Sequence, residues 1–229
     1  MTEADSSEAG RPRVRMTGKE RREQLVDVGR ALFAEKGFEA ASIEEIATRA
    51  GVSKPVVYEH FGGKEGLYAV VVDREMSTLL DSISSALTGD NPRVLVEQAA
   101  LTLLTYIEEQ TDGFRILVRD SPVATSTGTF SSLLNDIASQ VEYILVREFA
   151  ERELDTKLAG MYAQMLVGMV ALTGQWWLEV RTPGREEVAA HLVNLGWNGL
   201  RGLKAKPQLS LERSSAEDQS GARSTSQPG

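Results

Sequence analysis

Basic side chains that can pair with phosphate groups are concentrated near the N-terminus of this 229-residue sequence. Six of them precede or open the first predicted helix, and within that stretch only Glu20 carries the opposite charge. The six are Arg11, Arg13, Arg15, Lys19, Arg21 and Arg22. Guanidinium and ammonium groups bind phosphate through charge-assisted hydrogen bonds, so the cluster indicates either a nucleic-acid-binding arm or a solvated tail.

The whole chain has the opposite charge balance, since 25 Lys and Arg face 33 Asp and Glu for a net charge of -8. Residues 1–64 contain 11 basic and 11 acidic side chains, so the entire deficit lies after Lys64. A negative total therefore does not exclude a nucleic-acid partner. The distribution predicts a neutral head with a basic arm on an acidic body.

The residue types that most enzymatic and metal chemistry needs are sparse. Cysteine is absent, which excludes disulfides, thiolate metal sites and cysteine nucleophiles, and the 2 histidines, His60 and His191, lie far apart in the sequence. There is no glycine-rich phosphate loop or nucleophile elbow, and Gly62-Gly63 is interpreted as a helix break. We therefore predict no enzyme activity, no catalytic residue, no cofactor and no metal, with a helical protein-binding scaffold as a remote alternative.

Helical periodicity extends over nearly the whole chain, and no alternating strand pattern is bounded by hairpin turns. Thr17 with Glu20, and Ser42 with Glu45, each match a capping box. Gly37 and Gly51 are suited to end the first two helices, and Ser53 is expected to cap a third that carries Pro55 in its first turn. The fold class is therefore all-α, with about nine helices. The later helices are expected at about 64–87, 92–110, 113–120, 127–153, 156–180 and 183–203.

The segment 158–178 carries no charge over 21 residues and is long enough to cross a membrane. Polar residues interrupt it, and its bulky apolar residues follow one helical stripe, which favours a helix buried on both faces over a transmembrane span. The stripe consists of Leu158, Met161, Met165, Met169, Leu172, Trp176 and Val180. Because no apolar run follows the N-terminal charges, we expect a cytoplasmic protein without a membrane partner.

The second and third helices have the spacing of a helix-turn-helix, with Gly51 at the turn and the small Ala47 where the helices cross. A helical hairpin of another function would have the same spacing, but the flanking residues favour DNA binding. The stretch 20–68 resembles the DNA-binding domain of the TetR family of bacterial regulators. The matching motifs are Ala31-Leu32-Phe33, Gly37-Phe38, Ser42-Ile43, Ala50-Gly51-Val52-Ser53, Tyr58-Glu59-His60-Phe61 and Lys64-Glu65-Gly66-Leu67.

The resemblance implies that the third helix lies in the major groove of an operator. Lys54 would donate to a guanine edge or a phosphate, while the Tyr58 ring would pack on a thymine methyl. His60 is carried over as a phosphate contact, although it could instead pack at the helix end. The predicted DNA-binding residues are Arg15, Lys19, Ser42, Ser53, Lys54, Pro55, Val56, Tyr58, His60 and Lys64.

The same resemblance implies a helical second domain that binds a ligand and dimerises. Residues 113–122 and 166–183 are similar to those of TetR-type regulators of fatty-acid metabolism in high-GC Gram-positive bacteria, in particular regulators of fatty-acid synthase genes that respond to long-chain acyl-CoA. Arg115 or Arg119 would then meet the CoA phosphates, unless both pair with acidic neighbours on the surface. The predicted ligand-binding residues, which plain core packing would also use, are Tyr106, Phe114, Arg115, Phe130, Tyr143, Met165, Met169, Trp176 and Trp177.

The predicted organisation is a flexible basic arm at 1–16, a helix-turn-helix domain at 17–63, a ligand-binding and dimerisation domain at 64–203, and a disordered tail at 204–229. The last two helices are expected to form a homodimer, which suits a palindromic double-stranded operator. The expected dimer face of the last helix contains Val188, Leu192, Leu195, Gly199 and Leu203. The alternative function is a TetR-type repressor of an efflux or catabolic operon that responds to another apolar molecule.

Overall fold

The computed structural model describes residues 16–119 and 130–208. Within these residues the regular structure consists of nine α-helices and one 3-10 turn, Thr156–Leu158, and no strand occurs. In chain order the helices are α1 (Gly18–Ala40), α2 (Ile43–Ala50), α3 (Lys54–Phe61), α4 (Lys64–Ala86), α5 (Pro92–Glu109), α6 (Thr111–Val118), α7 (Phe130–Glu151), α8 (Ala159–Val180) and α9 (Arg185–Arg201). The predicted all-α fold is confirmed.

Side-chain caps determine where α1 and α2 begin. The Thr17 hydroxyl accepts a hydrogen bond from the Glu20 backbone N–H at 3.2 Å, and the Glu20 carboxylate accepts from the Thr17 backbone N–H at 2.7 Å, which completes the predicted capping box. At α2 the Ser42 hydroxyl accepts from the Glu45 N–H at 3.2 Å. The Glu45 carboxylate pairs with Lys36 at 2.8 Å and does not return to Ser42, so only half of the second box forms.

Glycines with positive φ separate the three N-terminal helices. Gly37 has a φ of 78° and interrupts α1 near its end, so the predicted break occurs but helical residues follow it. Gly51 has a φ of 66°, a conformation that costs glycine little, and it ends α2. Ser53 occupies the N-cap position of α3 without a side-chain capping hydrogen bond, so its predicted cap is positional only.

The helices form two compact units. Of the described residues, the first unit contains 16–77 and 112–119, and the second contains 78–111 and 130–208. In the first unit Phe33 meets Tyr68 edge-on at 5.0 Å between ring centroids, and α6 is tied to α1 because Arg119 donates to the Ala34 carbonyl at 2.8 Å. The buried Glu75 accepts from Arg30 at 2.8 Å, which places α4 against α1.

The backbone at Gly66 lies close to Phe61 at the corner between α3 and α4, which leads to a testable prediction. A methyl group there would overlap the carbonyl oxygen of Phe61, which is backbone and cannot rotate away. We expect Gly66→Ala to destabilise the protein by about 1–3 kcal/mol, the usual cost of overpacking, measured by urea unfolding. Gly18→Ala is the control, since a methyl group at Gly18 meets nothing within 4 Å. Equal stability of the two variants would contradict the assigned corner geometry.

The second unit is built on α8, which packs along α7 and against α5, while α9 packs on α5. Phe149 of α7 meets Tyr162 of α8 at 5.4 Å between ring centroids. A Cβ atom on Gly174 would lie 2.9 Å from the Ile107 side chain, so α8 approaches α5 as closely as a glycine allows. Among the described residues, no helix is long and apolar enough to span a bilayer.

Two predicted helix starts differ from the structure. Pro183 does not open the last helix, because Gly184 is its N-cap and the Pro183 carbonyl accepts the Trp177 indole N–H at 2.7 Å. The segment expected to start as an α-helix at Thr156 forms a 3-10 turn, since the Asp155 side chain caps Lys157 N–H at 3.0 Å. Most other helix ends lie within about two residues of the predicted bounds, which is the ordinary uncertainty of helix ends, but α1 continues past its predicted stop at Gly37 to Ala40. The predicted start of α7 at residue 127 lies outside the described residues.

Candidate nucleic-acid interface and apolar cavity

The helix-turn-helix is assembled around a small apolar core between α2 and α3. Ile46 and Val57 are completely buried there, and Ala47 is 3% exposed. With Val57 turned inward, α3 presents the opposite face to solvent, where Tyr58 is 53% exposed. An exposed, short α3 of this kind has the form of a recognition helix.

Six of the ten predicted DNA-binding residues are exposed to solvent. Val56 and His60 are half-buried, and Arg15 lies outside the described residues. The exposed members of the set are Lys19, Ser42, Ser53, Lys54, Pro55 and Tyr58. The structure therefore brings the N-terminal ends of α2 and α3 together with Tyr58, an arrangement that can supply hydroxyl, ammonium and backbone N–H donors to DNA phosphates.

In the structure Lys64 contacts backbone carbonyls of the protein, whereas the sequence predicts a phosphate contact. Its ammonium group donates to the carbonyls of Phe38 and Glu39 at 2.9 and 3.3 Å. The same group lies 4.3 Å from the centre of the Phe38 ring. Lys64 thus stabilises the chain after the Gly37 break, and a phosphate would have to compete with these partners.

One charged residue at this surface was missed from the sequence. The Glu44 carboxylate of α2 lies 2.8 Å from the Lys54 ammonium of α3, with 73% and 52% of the two side chains exposed. This hydrogen bond and the positive charge of Lys54 hold the pKa of Glu44 below its ordinary value. Residue spacing carries no signal for the pair, because ten positions separate two residues on different helices.

The second unit contains a cavity of about 90 Å³ that is lined throughout by apolar side chains from α4, α5, α7, α8 and α9. Along α7 the lining extends from Phe130 to Leu145, which corresponds to about 22 Å at 1.5 Å per residue. The cavity is smaller than the roughly 300–1,000 Å³ of a typical ligand pocket. A long, narrow and apolar cavity of this size suits an extended hydrocarbon chain only if the surrounding helices separate.

The predicted ligand-binding residues are dispersed in the structure. Phe130 lines the cavity, whereas Tyr143 and Trp176 are 83% and 52% exposed. Trp177 is buried and bonded to Pro183, and the Arg181 guanidinium lies 5.0 Å from its ring centre. The other five members do not line the cavity. Phe114 and Tyr106 are buried, Arg115 is half-buried, and Met165 and Met169 border a shallow depression between α8 and α9.

The depression between α8 and α9 belongs to an exposed apolar face. Leu172 and Leu195 are each 66% exposed and Met165 is 56% exposed, values that are high for such large apolar side chains. By contrast, Val188 and Leu192 of the expected dimer face are 5% exposed and pack within the second unit. Within α9, the exposed members of the expected dimer face are therefore Leu195 and Gly199.

The described residues contain no cluster of histidine and acidic side chains that could hold a metal ion. What the structure provides is an exposed recognition helix in the first unit, with an apolar cavity and an apolar outer face in the second. These features define a helix-turn-helix regulator with a helical second domain.

Comparison with known proteins identifies the family. Residues 25–71 match the family model "Bacterial regulatory proteins, tetR family", and residues 82–209 match "Tetracyclin repressor-like, C-terminal domain". The chain belongs to the TetR family of transcriptional regulators and is a DNA-binding regulator, not an enzyme. The resemblance of residues 20–68 to this family is thereby confirmed.

Relatives and solved structures extend the match over most of the chain. The transcriptional activator FasR of Mycolicibacterium smegmatis is 31% identical over 193 residues, which cover 81% of this chain and 85% of the relative. A TetR-like regulator from Rhodococcus sp. RHA1 superposes with a TM-score of 0.70 at 22% identity, covering 82% of this chain and 100% of that one. The fatty acid degradation regulator FadR from Bacillus halodurans superposes with a TM-score of 0.64 at 19% identity. The superposition covers 79% of this chain and 96% of FadR.

Proposed function

We propose that this TetR-family regulator controls genes of fatty-acid metabolism, binds a palindromic operator as a homodimer, and responds to long-chain acyl-CoA. The observation that carries the proposal is the long apolar cavity of the second unit. The name of FadR refers to fatty-acid degradation, which supports a lipid-related role for this chain. A regulator of an efflux or catabolic operon with another apolar effector is the alternative.

The cavity favours a hydrocarbon chain because its lining offers no hydrogen-bonding side chain. Leu133 and Leu145 of α7, Leu103 of α5 and Val167 of α8 are among the lining residues. A polar ligand would lose its hydration there without compensation, whereas each buried methylene contributes about 0.8 kcal/mol. The thioester and CoA head would remain outside this apolar space.

The size of the cavity links ligand binding to a change of structure. Since about 90 Å³ cannot hold a long acyl chain, the chain must enter by separating the helices around it. Leu79 and Ile83 of α4 belong to the lining, and the earlier residues Leu67 and Val71 of the same helix are buried in the first unit. A displacement of α4 is the proposed route from ligand to recognition helix, and it requires the ligand to bind the DNA-incompetent form more tightly.

The homodimer is supported by the exposed apolar face of α8 and α9. Soluble proteins rarely leave several large apolar side chains exposed on one face unless a partner covers them. Atoms added at Gly168 or Gly199 would meet nothing within 4 Å in the protomer, which leaves room for close approach of a second copy. A two-fold arrangement would present two copies of α3 to successive major grooves.

The proposed effector is tested by measuring the affinity of the protein for acyl-CoAs of increasing chain length by calorimetry. We expect each added methylene to strengthen binding by about 0.8 kcal/mol, or about fourfold, until the opened cavity is full. Ala171→Leu fills part of the cavity and should shift the optimum to shorter chains, whereas Ala190→Leu on the exposed side of α9 should not. Affinity that does not depend on acyl length would exclude the acyl chain as the recognised group and favour the alternative effector.

A further inference from the structure

We propose that Glu44 is a determinant of base specificity that reads one G·C base pair jointly with Lys54. The inference rests on the proposed function, because it assigns a role at the same operator-binding surface. It concerns a residue of α2 that lies beside the recognition helix and whose acidic charge opposes DNA binding.

The geometry places Glu44 where a base contact can be made. Glu44 belongs to the first turn of α2, and Lys54 is the first residue of α3. The Glu44 Oε2 atom accepts a hydrogen bond from Lys54 Nζ at 2.8 Å. Both side chains remain more than half exposed, so the pair forms part of the surface that also contains Ser42 and Tyr58.

Stability does not account for this pair. An ion pair between exposed side chains contributes little to folding, since water screens the charges and both chains lose freedom. A carboxylate at a DNA-binding surface also weakens attraction to phosphate. Glu44 therefore lowers the affinity for non-specific DNA, and a hydrogen-bond donor on the DNA would compensate for that loss.

The major-groove edge of a G·C pair is complementary to the Lys54–Glu44 pair. Guanine offers two neighbouring acceptors, N7 and O6, and cytosine offers the N4 amino donor. Lys54 can only donate hydrogen bonds, while the lowered pKa of Glu44 keeps its carboxylate ionised at neutral pH, when it can only accept. Lys54 on the guanine acceptors and Glu44 on the cytosine amino group would satisfy all of these groups together.

Other DNA contacts leave one member of the pair without a suitable partner. Against a phosphate, Lys54 can exchange Glu44 for a phosphate oxygen, but the carboxylate is then held near negative charge with no donor. At an A·T pair the donor and acceptor positions are exchanged, because the adenine amino group stands where guanine has O6 and the thymine O4 acceptor stands where cytosine has its amino group. Lys54 then meets a donor and Glu44 meets an acceptor. The pair therefore favours G·C over A·T and specific over non-specific DNA.

The test compares Glu44→Ala with Glu35→Ala, which removes the same charge from an exposed ion pair elsewhere in the first unit. Glu35 pairs with Arg49 at 2.8 Å and is 53% exposed. Affinities are measured for the operator, for every single base-pair substitution in one half-site, and for a random duplex. Thermal unfolding confirms that both variants are folded.

We expect the wild-type protein to discriminate one G·C pair by about 5- to 150-fold, the range of a good base contact. Glu44→Ala should lose most of that discrimination and bind the random duplex several-fold more tightly, while Glu35→Ala keeps the wild-type base preferences. Unchanged preferences in Glu44→Ala, or the same change in Glu35→Ala, would overturn the inference and leave the proposed function standing. A wild-type protein without any preferred duplex would overturn the proposed function as well.

Discussion

Replacing Lys54 and Tyr58 together with alanine is expected to weaken specific operator binding strongly while the protein remains folded. Each side chain should contribute about 1–3 kcal/mol if it touches base edges, so the double variant should lose about 30- to 2.5 × 10⁴-fold in affinity. Both side chains are about half exposed and make few contacts within the protein, so their removal should change stability little. The measurement is a binding titration with operator and random duplexes at fixed salt.

The matched control is Lys36→Ala combined with Tyr143→Ala. It removes a lysine in an exposed ion pair and a tyrosine that is 83% exposed, but neither residue belongs to α3. We expect this control to bind the operator as the wild type does. Full operator affinity in a folded Lys54→Ala, Tyr58→Ala variant would remove α3 from the DNA interface.

The second large effect is expected at the exposed apolar face of α8 and α9. Placing glutamate at Leu172 and Leu195 would put four like charges into the interface of a two-fold dimer, since each copy contributes both residues. The variant should sediment as a monomer. A monomer carries only one copy of α3 and can bind only one half-site of the operator. Operator binding should therefore weaken by about 10²- to 10⁴-fold.

Tyr143→Glu provides the control for this prediction, since it adds a charge to the second unit at an exposed position outside the apolar stripe. We expect it to remain dimeric and to bind the operator normally. A Leu172→Glu, Leu195→Glu variant that still sediments as a dimer would show that a different surface forms the dimer.

Local sequence signals were sufficient for most of the fold. The Thr17 capping box and the left-handed Gly51 turn depend on residues within a few positions of each other, so the sequence predicts them directly. Pro183 shows the limit of such signals. A proline before a helical stretch suits the first turn, but the contact of the Pro183 carbonyl with Trp177 belongs to the preceding turn.

The site was predicted less completely, because a helical stripe shows which residues share a face and not what that face meets. Met165 and Trp176 belong to an apolar stripe that would suit a cavity lining as well as an outer contact face. In the structure they lie exposed on the outer side of α8. Val188 and Leu192 show the reverse case, since they pack inside the unit where a dimer contact was expected. Tertiary packing decides which face of a helix is buried and which is exposed, and the spacing of residues along the sequence does not encode that packing.

The most direct measurement of the central claim is the release of operator DNA as acyl-CoAs of increasing length are added, with free coenzyme A as the control. A typical coupling of about 1–3 kcal/mol predicts that a long-chain acyl-CoA weakens operator binding by roughly 5- to 150-fold. The effect should grow with acyl length, and free coenzyme A should have none. Operator binding that no acyl-CoA weakens, or that free coenzyme A weakens equally, would contradict control by the acyl chain.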